Sequence, residues 1–228
     1  MTRPQRVFDA VCFDCDSTLS RIEGIDELAR RSGLENEIAP LTAAVMEGAL
    51  ALDAVYARRL SVVRPDRASI EWLSARYIEE MVPGAKETIA ALNRAGKSVH
   101  ILSGGLRPAI LPLARALEIP ASQVHAVDVV FEVDGAYRDF DRRSPLIHAD
   151  GKAIVCRSLA ACPSSVALVG DGATDLAAGG SGVFVVGFGG VVRREAVVKG
   201  ADVFIAGPDL TSVLDVLLGG AFRQPPDV

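Results

Sequence analysis

Short apolar runs alternate with stretches of helical period along most of this chain. Val7–Asp14 (VFDAVCFD) is such a run, the signature of a strand buried in a parallel sheet. Ser98–Ser103, Ser165–Gly170 and Val183–Gly187 repeat the pattern, and Val203–Ala206 is a fifth candidate. Pro83–Ala95 opens on a proline and stops at Gly96, the asymmetry expected of a helix. Leu106–Leu117, Asp150–Ala160 and Leu210–Leu218 also read as helices. Strands and helices in this alternation predict an α/β fold with a doubly wound, mostly parallel, Rossmann-like sheet.

Two segments break the alternation. Residues 20–82 hold no strand candidate but carry helical patterns at Ile25–Arg31, Leu34–Glu47, Leu52–Val63 and Ala68–Glu79, ahead of the punctuation at Pro83–Gly84. This predicts a helical insertion after the first strand, dividing a core made of residues 1–19 and 83–228. The other exception is Val124–Phe140, where Asp134–Gly135 joins two alternating runs and predicts a small β-hairpin. The Pro-containing tail from Phe222 reads as loose.

Composition narrows the function classes. Half the residues are hydrophobic and 23% charged, which suits a packed globule and excludes wholesale disorder. A net charge of −5 argues against a nucleic-acid partner, which would need a basic face. Three His and four Cys are too few for a zinc array or a disulfide framework. Cys12 and Cys15 lie at odd spacing on a strand, so they read as buried, reduced thiols in a reducing cytoplasm. Asp9, Asp14 and Asp16 interrupt the first apolar run, so no secretory signal is expected. The uncharged stretch Leu176–Val192 contains six Gly and reads as strand and turn, not as a membrane span.

The acidic residues matter for where they fall. Asp14 and Asp16 stand two apart at the end of the first strand, a spacing that places both carboxylates on one side, about 7 Å apart. The third strand runs into Gly170-Asp171-Gly172-Ala173-Thr174-Asp175, and if a helix starts here Asp171 and Asp175 share its face. An Asx turn or a helix cap accounts for any one of these residues alone. Four carboxylates together repel one another unless a cation sits among them, and oxygen ligands suit Mg²⁺. Ser103-Gly104-Gly105 at the second strand's end offers a hydroxyl and backbone N–H groups to an anion, although it is also ordinary turn chemistry. Lys152 begins a helix, where its charge opposes the dipole. Carboxylates, a hard metal, an anion cradle and a cation together suit phosphoryl transfer.

On these motifs the chain resembles the haloacid-dehalogenase superfamily of phosphatases. The carriers are Asp14-Cys15-Asp16-Ser17-Thr18, Ser103-Gly104-Gly105, Lys152 and Gly170–Asp175. Glu23-Gly24-Ile25-Asp26-Glu27-Leu28-Ala29 and Gly187-Phe188-Gly189-Gly190, with Arg193 following, are similar to the branch acting on phosphoserine. The likeness covers about residues 7–218. It implies a Mg²⁺-dependent phosphomonoester hydrolase converting O-phospho-L-serine to L-serine and phosphate through an aspartyl-phosphate, acting as a monomer or homodimer. It also makes residues 20–82 a cap domain, with hinges near Ser20 and Pro83.

The resemblance assigns roles residue by residue. Asp14 is implied as nucleophile and Asp16 as the acid, then base. Asp14, Asp171 and the Asp16 carbonyl are implied as metal ligands, with Asp175 in support. Ser103, Gly104, Lys152 and Thr174 would hold the phosphate. Glu23 would receive the substrate ammonium and Arg59 its carboxylate, with Arg58 the alternative one position away, and Met46 would pack over the substrate. Leu106, Leu52 and Cys15 depart from the family's usual residues and bear on specificity.

Three rivals remain at this level. Gly187-x-Gly189-Gly190 after a strand also suggests dinucleotide binding, but it lacks the final Gly of the fingerprint and has no βαβ unit beyond it. Another small ester, such as a phosphate of threonine or homoserine, would use the same scaffold. A Mg²⁺- and phosphate-binding regulatory protein is the non-enzyme reading, and the Asp14–Asp16 pair speaks against it, because a binder needs no acid–base carboxylate.

Overall fold

Strand β1 (Ala10–Phe13) is buried at every position and pairs with parallel neighbours on both sides. A strand so placed needs apolar side chains on both faces, hence its unbroken run. The computed structural model describes residues 7–160 and 162–219, so the tail from Phe222 lies outside the described residues. Four helices follow β1: α1 (Gly24–Arg31), α2 (Glu35–Met46), α3 (Leu52–Val63) and α4 (Arg67–Glu79). Then come α5 (Ala85–Arg94), β2 (Ser98–Leu106), α6 (Arg107–Ala116), β3 (Val124–Val127), and the pair β4 (Val129–Phe131) and β5 (Tyr137–Phe140). The chain continues through α7 (Gly151–Leu159), β6 (Val166–Gly170), α8 (Ala173–Gly179), β7 (Phe184–Phe188), α9 (Glu195–Gly200), β8 (Val203–Ile205) and α10 (Leu214–Leu217).

Six strands form one sheet in the order β3-β2-β1-β6-β7-β8, and every pair is parallel. From β1 the chain builds outward through β2 and β3, then crosses over to build β6, β7 and β8 on the other side. The reversal falls at β1, and such a switch point opens a crevice beyond the carboxyl ends of the central strands.

The predicted elements are largely present, with three differences. Only Val129–Phe131 pairs with Tyr137–Phe140; Val124–Val127, expected in the hairpin, is the edge strand of the main sheet. The six-residue helix α9 was not expected, being too short to show a period. Leu210–Leu218 is a 3₁₀ turn over Leu210–Val213 followed by the single turn of α10. Cys12 and Cys15 are buried as expected; Cys156 is buried too, whereas Cys162 is exposed. Among the described residues no helix is long and apolar enough to cross a membrane.

The helical insertion leaves and rejoins the sheet through two adjacent linkers. Arg21 N–H donates to Glu80 O at 2.8 Å, and Val82 N–H donates to Leu19 O at 3.0 Å. At its far side the insertion meets the hairpin. Arg64 donates to the Tyr137 carbonyl at 3.1 Å, the Arg67 guanidinium lies 4.6 Å from the Phe131 ring centroid, and the Tyr56 and Phe140 rings stand 5.1 Å apart. Contacts of the last two kinds contribute about 0.5–1.5 kcal/mol each.

Candidate active site

Beyond Phe13 the chain turns at once. Leu19 and Ser20 N–H groups donate to the Cys15 carbonyl at 2.9 and 3.0 Å, and Ser17 adopts a left-handed conformation at φ 52°. This tight loop sets Asp14 and Asp16 on the wall of one cavity of about 80 Å³. Asp14 Oδ1 accepts from Cys15 N–H at 2.7 Å, and its Oδ2 lies 2.8 Å from Lys152 Nζ. Burial pushes the Asp14 carboxyl well above the usual range, with Lys152 working against it. Asp16 Oδ1 accepts from the Tyr77 hydroxyl at 2.7 Å and from Gly24 N–H at 3.0 Å. Burial raises Asp16 as well, and these two donors oppose the rise.

At the end of β6, Gly170 makes room for an acid. A Cβ there would lie 2.2 Å from the Asp175 carboxyl carbon. Asp175 Oδ2 accepts from Gly172 N–H at 3.0 Å, and Oδ1 accepts from Lys152 Nζ at 2.6 Å. The expected shared helix face is not what joins Asp171 to Asp175. Helix α8 begins at Ala173, with Gly172 as its cap, so Asp171 precedes the helix and Asp175 folds back toward it. Carboxylate oxygens of Asp14, Asp171 and Asp175 nevertheless lie within 4.8 Å of one another, all buried. Asp171 accepts from the Thr18 hydroxyl at 3.3 Å and pairs with the Arg194 guanidinium. Burial lifts its carboxyl to about 7, with Arg194 opposing.

Lys152 is brought here by α7. Gly151 permits the approach: a Cβ on it would sit 2.0 Å from the Pro145 carbonyl oxygen, so only glycine lets the helix start press against that backbone. Burial disfavours the ammonium, but Asp14 and Asp175 outweigh it and hold Lys152 protonated above its ordinary value. Three buried carboxylates, Asp14, Asp171 and Asp175, and the partly buried Asp16 thus face two cations, Lys152 and Arg194. A divalent cation would close that excess, and an all-oxygen donor set fits a hard one.

The Ser103–Gly105 segment continues β2, where the pairing with β3 slips between Leu102 and Leu106. Ser103 Oγ accepts from Gly105 N–H at 2.9 Å, and Tyr56 of the insertion donates to the Gly104 carbonyl at 2.8 Å. Thr174 opens α8 against the same cavity. Met46, at the end of α2, reaches Gly172: a Cβ on that glycine would meet Met46 Cε at 2.8 Å.

The insertion brings its own charges to this cavity. Glu23 accepts from the Ser17 hydroxyl at 2.8 Å and lies 3.6 Å from Arg194 Nη2. Arg59 is 6% exposed, lines the cavity and has a buried Nε with no partner. Its Nη1 donates to Thr42 Oγ1 at 3.2 Å, and that hydroxyl donates to Asp26 Oδ1 at 2.6 Å. Arg58 is 65% exposed beside Glu37, away from the cavity. Asp14, Asp16, Glu23, Met46, Arg59, Ser103, Gly104, Lys152 and Thr174 therefore share one cavity, and Asp171 and Asp175 adjoin it through Asp14 and Lys152.

Three contacts escaped the sequence reading. Arg194, not Arg193, enters the site; Arg193 lies 5.2 Å from the Phe204 ring centroid. Tyr77 and Thr42 read as ordinary positions on helical patterns, and nothing in their spacing marks the hydrogen bonds that they make. The Gly187–Gly190 loop is packed against its own neighbours. Cβ atoms on Gly189 and Gly190 would meet Phe204 and Phe188 at 2.4 and 2.2 Å. The missing Cβ positions of these glycines are thus filled by the protein's own rings, not left open for the close approach of a pyrophosphate.

Known proteins resemble this chain in sequence and in fold. A family model for haloacid dehalogenase-like hydrolases matches residues 8–182. The chain is 35% identical over 211 residues to the phosphoserine phosphatase of Bos taurus, covering 92% of this chain and 93% of that one. It is 36% identical over 199 residues to the phosphoserine phosphatase of Homo sapiens, covering 86% and 88%. A solved structure of a phospho-aspartyl intermediate analogue of phosphoserine phosphatase superposes with a TM-score of 0.78 at 27% identity, covering 92% of this chain and 98% of that one.

Proposed function

This chain belongs to the haloacid dehalogenase-like hydrolases, and from that membership we propose that it hydrolyses O-phospho-L-serine to L-serine and phosphate with Mg²⁺. The observation that carries the reading is Arg59. A buried guanidinium with an unpartnered Nε lines the cavity that Lys152 and Asp14 also line. Two separated cations in one small cavity suit a ligand with two anionic ends, here a phosphate and a carboxylate. Glu23 on the same wall supplies the anion for the ammonium of a zwitterion. Met46 closes over a substrate of that size.

The phosphate takes its hydrogen bonds from Ser103, Gly104 and Thr174, and its charge is met by Lys152. Asp14 attacks phosphorus, forming the aspartyl-phosphate as the bond to the serine oxygen breaks. Asp16 gives that oxygen its proton, then takes one from the water that releases phosphate from Asp14. Asp14, Asp171 and the Asp16 carbonyl would hold Mg²⁺, which when bound neutralises phosphoryl oxygens. Asp175, held by Lys152 and Gly172 N–H, acts in support. Residues 20–82 serve as the cap over the site, with hinges at the paired linkers near Ser20 and Pro83. Buried thiols at Cys12, Cys15 and Cys156 suit a reducing cytoplasm, where we place the enzyme.

The test measures phosphate release from phosphoserine, phosphothreonine and an aryl phosphate, with and without Mg²⁺. Magnesium-dependent turnover favouring phosphoserine is expected. No turnover of any ester would sink the reaction, and equal rates on all three would sink the substrate.

A further inference from the structure

Tyr77 is fully buried in the last turns of α4, and its hydroxyl meets Asp16 Oδ1 at 2.7 Å. The contact is built in from both sides. Gly24 N–H donates to the same oxygen at 3.0 Å, and a Cβ on Gly24 would fall 2.0 Å from the Tyr77 oxygen. Glycine at position 24 therefore makes space for the phenol as well as supplying the second donor. The phenol hydroxyl donates in this contact and the Asp16 oxygen accepts. The other carboxylate oxygen, Oδ2, faces the Ser103–Gly105 segment: a Cβ on Gly105 would lie 3.3 Å from it.

We propose that Tyr77 is a positioning residue that, with Gly24 N–H, holds Asp16 Oδ1 so that Oδ2 alone carries the proton exchanged in the reaction. The inference rests on the hydrolysis proposed above. Oδ1 accepts two hydrogen bonds and keeps carbonyl character in the acid form, so the proton sits on Oδ2. As Asp14 bonds to phosphorus and the ester P–O bond breaks, that proton passes to the leaving serine oxygen. The carboxylate left behind is steadied by the two donors on Oδ1. In the second half Oδ2 takes a proton from the attacking water, phosphate leaves Asp14, and the acid form is restored. Tyr77 neither gains nor loses a proton, and it is distinct from the groups that touch phosphate.

The leaving group tests this assignment. Serine leaves as a poor alkoxide and needs the acid, whereas acetyl phosphate releases acetate, which needs none. Tyr77→Phe is expected to lower kcat/KM for phosphoserine about 10-fold, part of the roughly 10²–10⁴ that acid–base catalysis supplies, and to leave acetyl phosphate within about 2-fold. Gly24→Ala keeps the phenol but displaces its oxygen, and it should give the same selective loss. Thermal melting of both variants checks that the fold is intact. Equal losses on the two substrates in both variants, or no loss in either, would overturn the positioning role. Parent protein inactive on phosphoserine would instead overturn the reaction itself.

Discussion

The ammonium of Lys152 lies 2.8 Å from Oδ2 of Asp14, and both side chains are 5% exposed. A second contact, 2.6 Å to Asp175, makes one lysine the counter-charge for two buried acids. Lys152→Met keeps the length of the side chain but leaves both acids uncompensated, and removing one partner of a buried ion pair typically costs about 3–5 kcal/mol. Urea denaturation in metal-free buffer should show a loss of that order, and Mg²⁺ should recover part of it. Unchanged stability would refute the role of Lys152 as shared counter-charge.

Asp14→Asn should abolish turnover while leaving the melting temperature close to that of the parent protein. Brief incubation with radiolabelled phosphoserine, followed by an acid quench, should leave label on the parent protein and none on the variant. Labelled Asp14→Asn protein would place the nucleophile elsewhere.

Thr42 links Asp26 to Arg59 and holds the guanidinium by one hydrogen bond. Thr42→Val breaks that link without changing the volume much. A KM for phosphoserine raised about 10-fold is expected, equivalent to about 1.4 kcal/mol. Phosphoethanolamine has no carboxylate, so its KM should not move. Equal changes for the two esters would show that Thr42 acts on the fold and not through Arg59.

On β2 and β3, away from the cavity, His100 Nδ1 lies 3.2 Å from His125 Nε2, and Ser98 Oγ is 2.8 Å from His100 Nε2. Burial, and then His125, lower the His100 imidazole to about 4; burial and Arg107 lower His125. The folded protein thus binds these protons more weakly than the unfolded chain, whose histidines titrate near 6.5. Stability contributed by the neutral pair is complete above about pH 6.5 and is lost as pH falls toward 4. Melting temperatures across that range should fall less steeply in His100→Gln. Parallel curves for variant and parent would exclude the pair as the cause.

The outline of the fold is legible because β1, β6 and β7 are buried on both faces and therefore read as apolar runs. The acids at the ends of β1 and β6 are legible for the same reason, since a carboxylate where such a run stops stands out. Val124–Phe131 shows where this logic fails. Its alternation continues through Asp128, so nothing local reveals that the chain leaves one sheet there and begins another. Arg193 and Arg194 are neighbours of identical chemistry, and only the packing on Phe204 decides which turns inward. Tyr77 was hidden in a different way. Its ring belongs to the core, as helical spacing says, and the one polar atom that matters sits at the end of that ring.

The paired linkers at Leu19–Arg21 and Glu80–Val82 have a consequence for how such an enzyme can change. The chain departs from the sheet and comes back at the same point, so everything between is a detour that the sheet does not need for its own continuity. Asp14, Lys152 and Asp171 lie outside the detour, whereas Glu23, Met46 and Arg59 lie within it. A different set of helices carried on the same two linkers would present other side chains to the same phosphoryl chemistry. With the roles proposed above, selectivity can then be exchanged as a cassette while Asp14, Lys152 and Asp171 stay where they are.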